Sequence, residues 1–134
     1  MIVLPGIVSS GIGQGARFMS LDWVAAAIRR SLGFDPYPGT LNVRLVEADI
    51  VVRWRDVAKR GPLRLMPASP EQCGARLVPI TLAWETPAAV IVPDVTRHED
   101  DVLEIIAAVH LRSRFALQDG DVLNVTIHVD QVLE

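Results

Sequence analysis

With 134 residues, half of them hydrophobic and 22% charged, the chain has the size of one ordinary domain and the composition of an ordered one, which excludes a disordered tail. A net charge of -3 and a pI near 5.6 exclude a general basic field that would draw nucleic acid, so an anionic ligand has to be met by local groups. The 13 basic residues are all arginine except Lys59, which favours forked recognition of phosphate or carboxylate, and the lone Cys73 excludes an internal disulfide and a cysteine-rich zinc site.

No run approaches the roughly 18 apolar residues of a membrane span, and "MIVLPGIVSSGIG" lacks the basic region of a secretion signal, so a cytoplasmic location is expected. In chain order, "IVLPGIVSS" reads as a β-branched strand interrupted by Pro5 and Gly6, which places it at an edge or gives it a bulge. After a glycine loop, Ser20 is placed to cap a helix whose apolar positions Leu21, Val24, Ala25, Ile28 and Leu32 recur at helical spacing. Asp22 stands in its first turn, Arg29 and Arg30 near its end, and Gly33 is its stop signal. Beyond Gly33 the period changes to two. "TLNVRLV", "IVVRW", "PLRLM", "ARLVPITLA", "AAVIVPD", "VLEIIAAV" and "VLNVTIHV" are short, β-branched and bounded by Gly, Pro or Asp, as in a small barrel or sandwich. "VLEIIAAV" also fits a helix, and "HLRSRFALQDGD" reads as a helical turn followed by a tight turn at Asp119 and Gly120. One domain spanning 1–134 is expected, mostly β with one main helix after the first strand.

"GIGQGA", Gly11 to Ala16, formally satisfies the dinucleotide fingerprint. That fingerprint needs a second parallel strand straight after the helix, ending in a ribose-binding acid, and here the helix runs into "GFDPYPG". A nucleotide-hydrolase loop would need a lysine and a hydroxyl where Ala16 and Arg17 stand. Two readings stay open: a flexible turn, or an anion cradle of backbone N–H groups in front of a helix N-terminus. In the next segment Pro36 and Pro38 set the backbone, and Gly39 is free to take a conformation closed to other residues. "TLNVRL" then sends Leu41, Val43 and Leu45 to one face and Thr40, Asn42 and Arg44 to the other. A hydroxyl and an amide oxygen about 7 Å apart along a strand suit one hard cation such as Mg2+, the alternative being a merely solvated strand face.

"GIVSSGIGQGARFM", "LGFDPYPGTLNVRL" and "TRHEDDVLEIIAAVHLRSRFALQDGDVLNVTI" together resemble, in order and over nearly the whole chain, signature blocks of the archaeal-type CTP-dependent riboflavin kinase family. The resemblance implies a six-stranded cradle-loop (RIFT-type) barrel that transfers the γ-phosphoryl of CTP to the ribityl hydroxyl of riboflavin, yielding FMN and CDP. It implies nucleotide contacts from Gly11, Ile12, Gly13, Gln14, Gly15 and Ala16 and from Val109, His110, Leu111 and Arg112. It further implies Mg2+ ligation by Thr40 and Asn42, and flavin hydrogen bonds from Thr96 and Glu104. Two roles are open to Glu104, a hydrogen bond to the ribityl chain or general base. The first is preferred, because a loose phosphoryl-transfer transition state needs little base help.

The family usually carries glutamate where this chain has Gln14, and it often bears an appended helix-turn-helix domain for which 134 residues leave no room. The alternative is therefore a flavin or nucleotide sensor of the same fold without turnover. A DNA-binding barrel is disfavoured by the acidic balance. Lys59 lies outside every motif. His98, His110 and His128 show no metal-ligand spacing, the "HEDD" carboxylates read as solvated, and Trp23, Trp54 and Trp84 read as core or rim.

Overall fold

The computed structural model describes residues 1–10, 21–61, 63–66, 74–94 and 101–128. The strands are β1 (Ile2–Ser9), β2 (Leu41–Leu45), β3 (Leu63–Leu65), β4 (Ala75–Leu82), β5 (Thr86–Pro93), β6 (Val102–Ile106) and β7 (Val122–Ile127). Helices α1 (Asp22–Leu32), α2 (Ala48–Lys59) and α3 (Leu111–Arg114) lie between them. The strands run in the spatial order β3-β4-β5-β6-β2-β1-β7, every pairing is antiparallel, and β4 also pairs with β7 through Ile80↔Ile127 and Thr81↔Thr126. That last ladder closes β4, β5, β6, β2, β1 and β7 into a six-stranded barrel and leaves β3 as an appendage on β4. Closure removes the free edges that an open sheet of these β-branched strands would present.

Strand alternation sorts the apolar residues into two cores. Leu4, Val8, Leu41, Val43, Leu45, Val78, Ile80, Val90, Leu103, Ile105, Val125 and Ile127 fill the barrel interior. Their sequence neighbours Leu77, Ala89, Ile91 and Ile106 face outward, with Leu65 and Ala75, and are covered by Val24, Ala27 and Ile28 of α1. Helix α1 ends as its sequence predicts: Gly33 takes φ 81° and donates its N–H to the Arg29 carbonyl at 2.9 Å. Its N-cap position is Leu21, without a side-chain cap bond, and Ser20 lies outside the described residues.

Two features depart from the sequence reading. "IVVRW" is part of α2, a second full helix, where its β-branched run predicts a strand. The buried residues Ile50, Trp54 and Val57 are spaced four and three apart, and they join the interior cluster while Val52 stays 62% exposed. Helical periodicity over twelve residues outweighs local β propensity because it brings Ile50, Trp54 and Val57 to one buried face and leaves Val52 outside it. Strand β1 is a full member of the barrel, paired with β7 over Ile2–Ile7 and with β2 from Gly6 to Ser9. Pro5 precedes the stretch in register with β2, so that half of the strand carries an edge on one side, as a proline requires. Gly6 points inward with Leu4 and Val8. A Cβ there would stand 2.4 Å from Val43 Cγ1, so the glycine allows β1 and β2 to approach. The segment "VLEII" is strand β6, and "LRSR" forms the expected helical turn.

Candidate functional site

The site begins where the proline-glycine segment reaches the barrel. Tyr37 donates its N–H to the Ala107 carbonyl at 2.7 Å, and Gly39 donates to the Tyr37 carbonyl at 2.8 Å, which fixes the approach to β2 against the end of β6. Gly39 does not take the left-handed conformation open to it; among the described glycines only Gly33 and Gly120 do. The rigidity comes from the prolines and these two hydrogen bonds.

Strand β2 alternates as its sequence predicts: Leu41, Val43 and Leu45 are buried, Asn42 is half-buried and Arg44 is exposed. Asn42 lies directly opposite Glu104 in β6 and opposite Ser9 in β1. Directly paired residues share a face with Cβ atoms about 5 Å apart, so Ser9, Asn42 and Glu104 form one polar row across three strands on the barrel exterior. Glu104 is only 3% exposed, the sole buried charged residue among those described. The reason is its company: Ile91 stands opposite it, and Ile106, two residues on, belongs to the cluster under α1. Its burial therefore follows from its position at the margin of the outer core.

Thr40, just ahead of β2, borders a cavity of about 120 Å³ floored by Leu41 and Ile105 and walled by Tyr37, Val109, His110, Leu111 and Arg112. The His110 ring stacks on Tyr37, centroids 4.7 Å apart and planes inclined by 27°, and its Nδ1 lies 2.6 Å from the Ser113 Oγ. The structure thus brings Thr40 to the segment 109–112, while Asn42 and Glu104 meet on the adjoining sheet face and do not line the cavity. The loop Gly11 to Ala16, together with Thr96 and His98, lies outside the described residues. Oxygen donors of Thr40 and Asn42 fit a hard divalent cation that keeps several waters or phosphate oxygens. Among the described residues no group of three or more His, Cys, Asp and Glu could hold an ion by itself.

Sequence reading missed three contributors. Tyr37, inside "PYPG", carries no local signal that sets it apart from its prolines, and only the fold stacks it on His110. Ser10 and Asp119 fall in a strand end and a turn, where only tertiary contact joins them. The Ser10 hydroxyl donates to Asp119 Oδ2 at 2.6 Å, and Arg112 Nη2 donates to Asp119 Oδ1 at 2.6 Å and to the Ser9 carbonyl at 3.1 Å. The hydrogen bond from Ser10, then that from Arg112, holds the Asp119 carboxyl below its ordinary range.

The family model for CTP-dependent riboflavin kinases, also described as a domain of unknown function, DUF120, matches residues 8–127. Similar curated proteins are named riboflavin kinase. That of Saccharolobus solfataricus is 34% identical over 96% of this chain and 75% of its own length. That of Thermofilum pendens is 35% identical over 96% of this chain and 60% of its own length. That of Methanoregula boonei is 37% identical over 95% of this chain and 58% of its own length. The chain thus spans about three fifths of two of these relatives. A barrel closed through β4 and β7, an anchored proline-glycine turn and a match reaching from β1 to the end of β7 agree, and the chain belongs to the CTP-dependent riboflavin kinase family.

Proposed function

We propose that this chain transfers the γ-phosphoryl group of CTP to the ribityl 5'-hydroxyl of riboflavin, giving FMN and CDP. The hydroxyl oxygen forms the new bond to phosphorus, the bond to the β-phosphate oxygen breaks, and the hydroxyl proton leaves to solvent. The observation that carries this assignment is the cavity that unites Thr40 with Val109, His110, Leu111 and Arg112 beside the polar row of Asn42 and Glu104.

Phosphoryl transfer asks a protein chiefly for alignment and for positive charge around the moving group. Residues 109–112 and the loop Gly11 to Ala16 bind the nucleotide in this scheme, with Arg112 facing its phosphates. Thr40 and Asn42 would hold Mg2+, which when bound neutralises triphosphate charge. Glu104 and Thr96 take hydrogen bonds from the flavin substrate in this scheme, Glu104 standing opposite Asn42 in the polar row. Gln14 keeps the size of the family's glutamate without its charge. The reaction is assigned to the cytoplasm in this scheme.

The test is incubation with riboflavin, MgCl2 and either CTP or ATP, followed by chromatographic separation of FMN. FMN formed with CTP and abolished by EDTA is the expected result. Tight riboflavin binding without FMN from either nucleotide would show a sensor and refute the kinase assignment.

A further inference from the structure

We propose that Asp119 is a positioning residue that couples the two nucleotide-binding segments by holding Ser10 and Arg112 with one carboxylate. This rests on the kinase assignment above. Ser10 directly precedes the glycine loop, and Arg112 ends the segment 109–112, yet in sequence they are about a hundred residues apart. Asp119 accepts from both, one oxygen each, at 2.6 Å.

The turn that presents Asp119 is itself held to the end of β1. Gly120, at φ 97°, donates its N–H to the Val8 carbonyl at 2.8 Å, and the Val8 N–H donates to the Asp121 carbonyl at 2.8 Å. The Asp121 carboxylate closes the turn by accepting the Gln118 N–H at 2.8 Å. These backbone bonds place Asp119 beside the end of β1, and its half-exposed carboxylate is held there by Ser10 and Arg112.

The guanidinium contacts show what the arrangement achieves. A guanidinium has five N–H donors in a fixed fork. Arg112 directs Nη2 to the Asp119 carboxylate and the Ser9 carbonyl, and among the described residues its Nε and Nη1 make no hydrogen bond. One corner is anchored, and the remaining donors stay available at the cavity that Arg112 lines. Such an anchor lowers the ordering cost of a bidentate phosphate contact, since the planar fork is oriented before the nucleotide arrives. Asp119 itself, as an anion, has no reason to touch the triphosphate, so its action passes through Arg112 and Ser10.

The experiment compares D119A, D119N, R112A and the double variant R112A/D119A with the unsubstituted protein. KM and kcat are measured separately for MgCTP and riboflavin, with backbone hydrogen exchange followed at Ser9, Ser10 and residues 111–121. Losing a charge-assisted anchor should raise the CTP KM of D119A about tenfold and leave the riboflavin KM within about twofold. D119N, whose amide oxygen still accepts from Arg112, should show a smaller rise, and it carries the test if D119A melts below the assay temperature. In the R112A background D119A should add less than about twofold, the non-additivity expected of residues acting as one unit. Exchange at Ser9 and Ser10 should quicken in D119A. An unchanged CTP KM, equal losses in both backgrounds, or unaltered exchange would overturn the proposal. Should the unsubstituted protein make no FMN, the kinase assignment fails separately, and the exchange data still decide whether the carboxylate joins the two segments.

Discussion

Helix α2 offers a sharp test of why this chain folds as it does. A strand over "IVVRW" would put Ile50, Val52 and Trp54 on one face. The helix instead buries Ile50, Trp54 and Val57, at 9%, 4% and 6% exposure, and leaves Val52 at 62%. Trp54 packs in the barrel-interior cluster, so W54A removes nearly all of a buried indole and should cost about 3–5 kcal/mol. V57A should cost about 1–3 kcal/mol, and V52A should stay within about 0.5 kcal/mol. In a domain of this size the W54A loss corresponds to a fall in Tm of about 10–20 °C. The assay is urea unfolding, reading the shift of the midpoint at constant m-value. Because W54A alone approaches the whole stability of a marginal domain, the V57A and V52A pair keeps the comparison measurable. Equal destabilisation by V52A and V57A would refute the helical account of the segment.

Three further outcomes are expected. T40V and N42L should each lower kcat/KM for FMN formation by about tenfold or more, the equivalent of about 1.4 kcal/mol per lost oxygen ligand, with partial recovery at raised MgCl2; unimpaired turnover in either variant would detach that residue from the metal. E104Q should raise the riboflavin KM while kcat falls less than about tenfold, because the proposed role is a hydrogen bond; a collapse of kcat at unchanged KM would instead identify a general base. The Asp119 carboxyl, held by Ser10 and Arg112 below its ordinary value of 3.8, binds its proton less readily when folded than when unfolded. Its stabilising contribution is therefore complete above the unfolded value and lost as pH falls through the lower folded one. The stability gap between the unsubstituted protein and D119N should be constant near neutrality and close below pH 3.8 in urea titrations, and a gap that widened on acidification would contradict that sign.

Where the local period is unambiguous, the sequence by itself determined the facing of strand residues and the glycine stops and turns. The inward set Leu41, Val43 and Leu45, the stop of α1 at Gly33 and the turn at Gly120 follow from side-chain alternation and from the conformations glycine alone adopts cheaply. The quoted family blocks likewise carried the barrel and the membership of the CTP-dependent riboflavin kinase family. Tertiary structure decided the rest. α2 is a helix because the barrel interior takes up Ile50, Trp54 and Val57, which only helical spacing puts on one face, and β1 is an interior strand because β7 returns to pair with it. Glu104 lies buried opposite Ile91 of the outer core, and Ser10, Arg112 and Asp119 meet although turns and strands separate them. Local pattern specifies which way each residue faces. Which distant residue it then faces is set by the closure of the ring, and that is a property of all six strands at once.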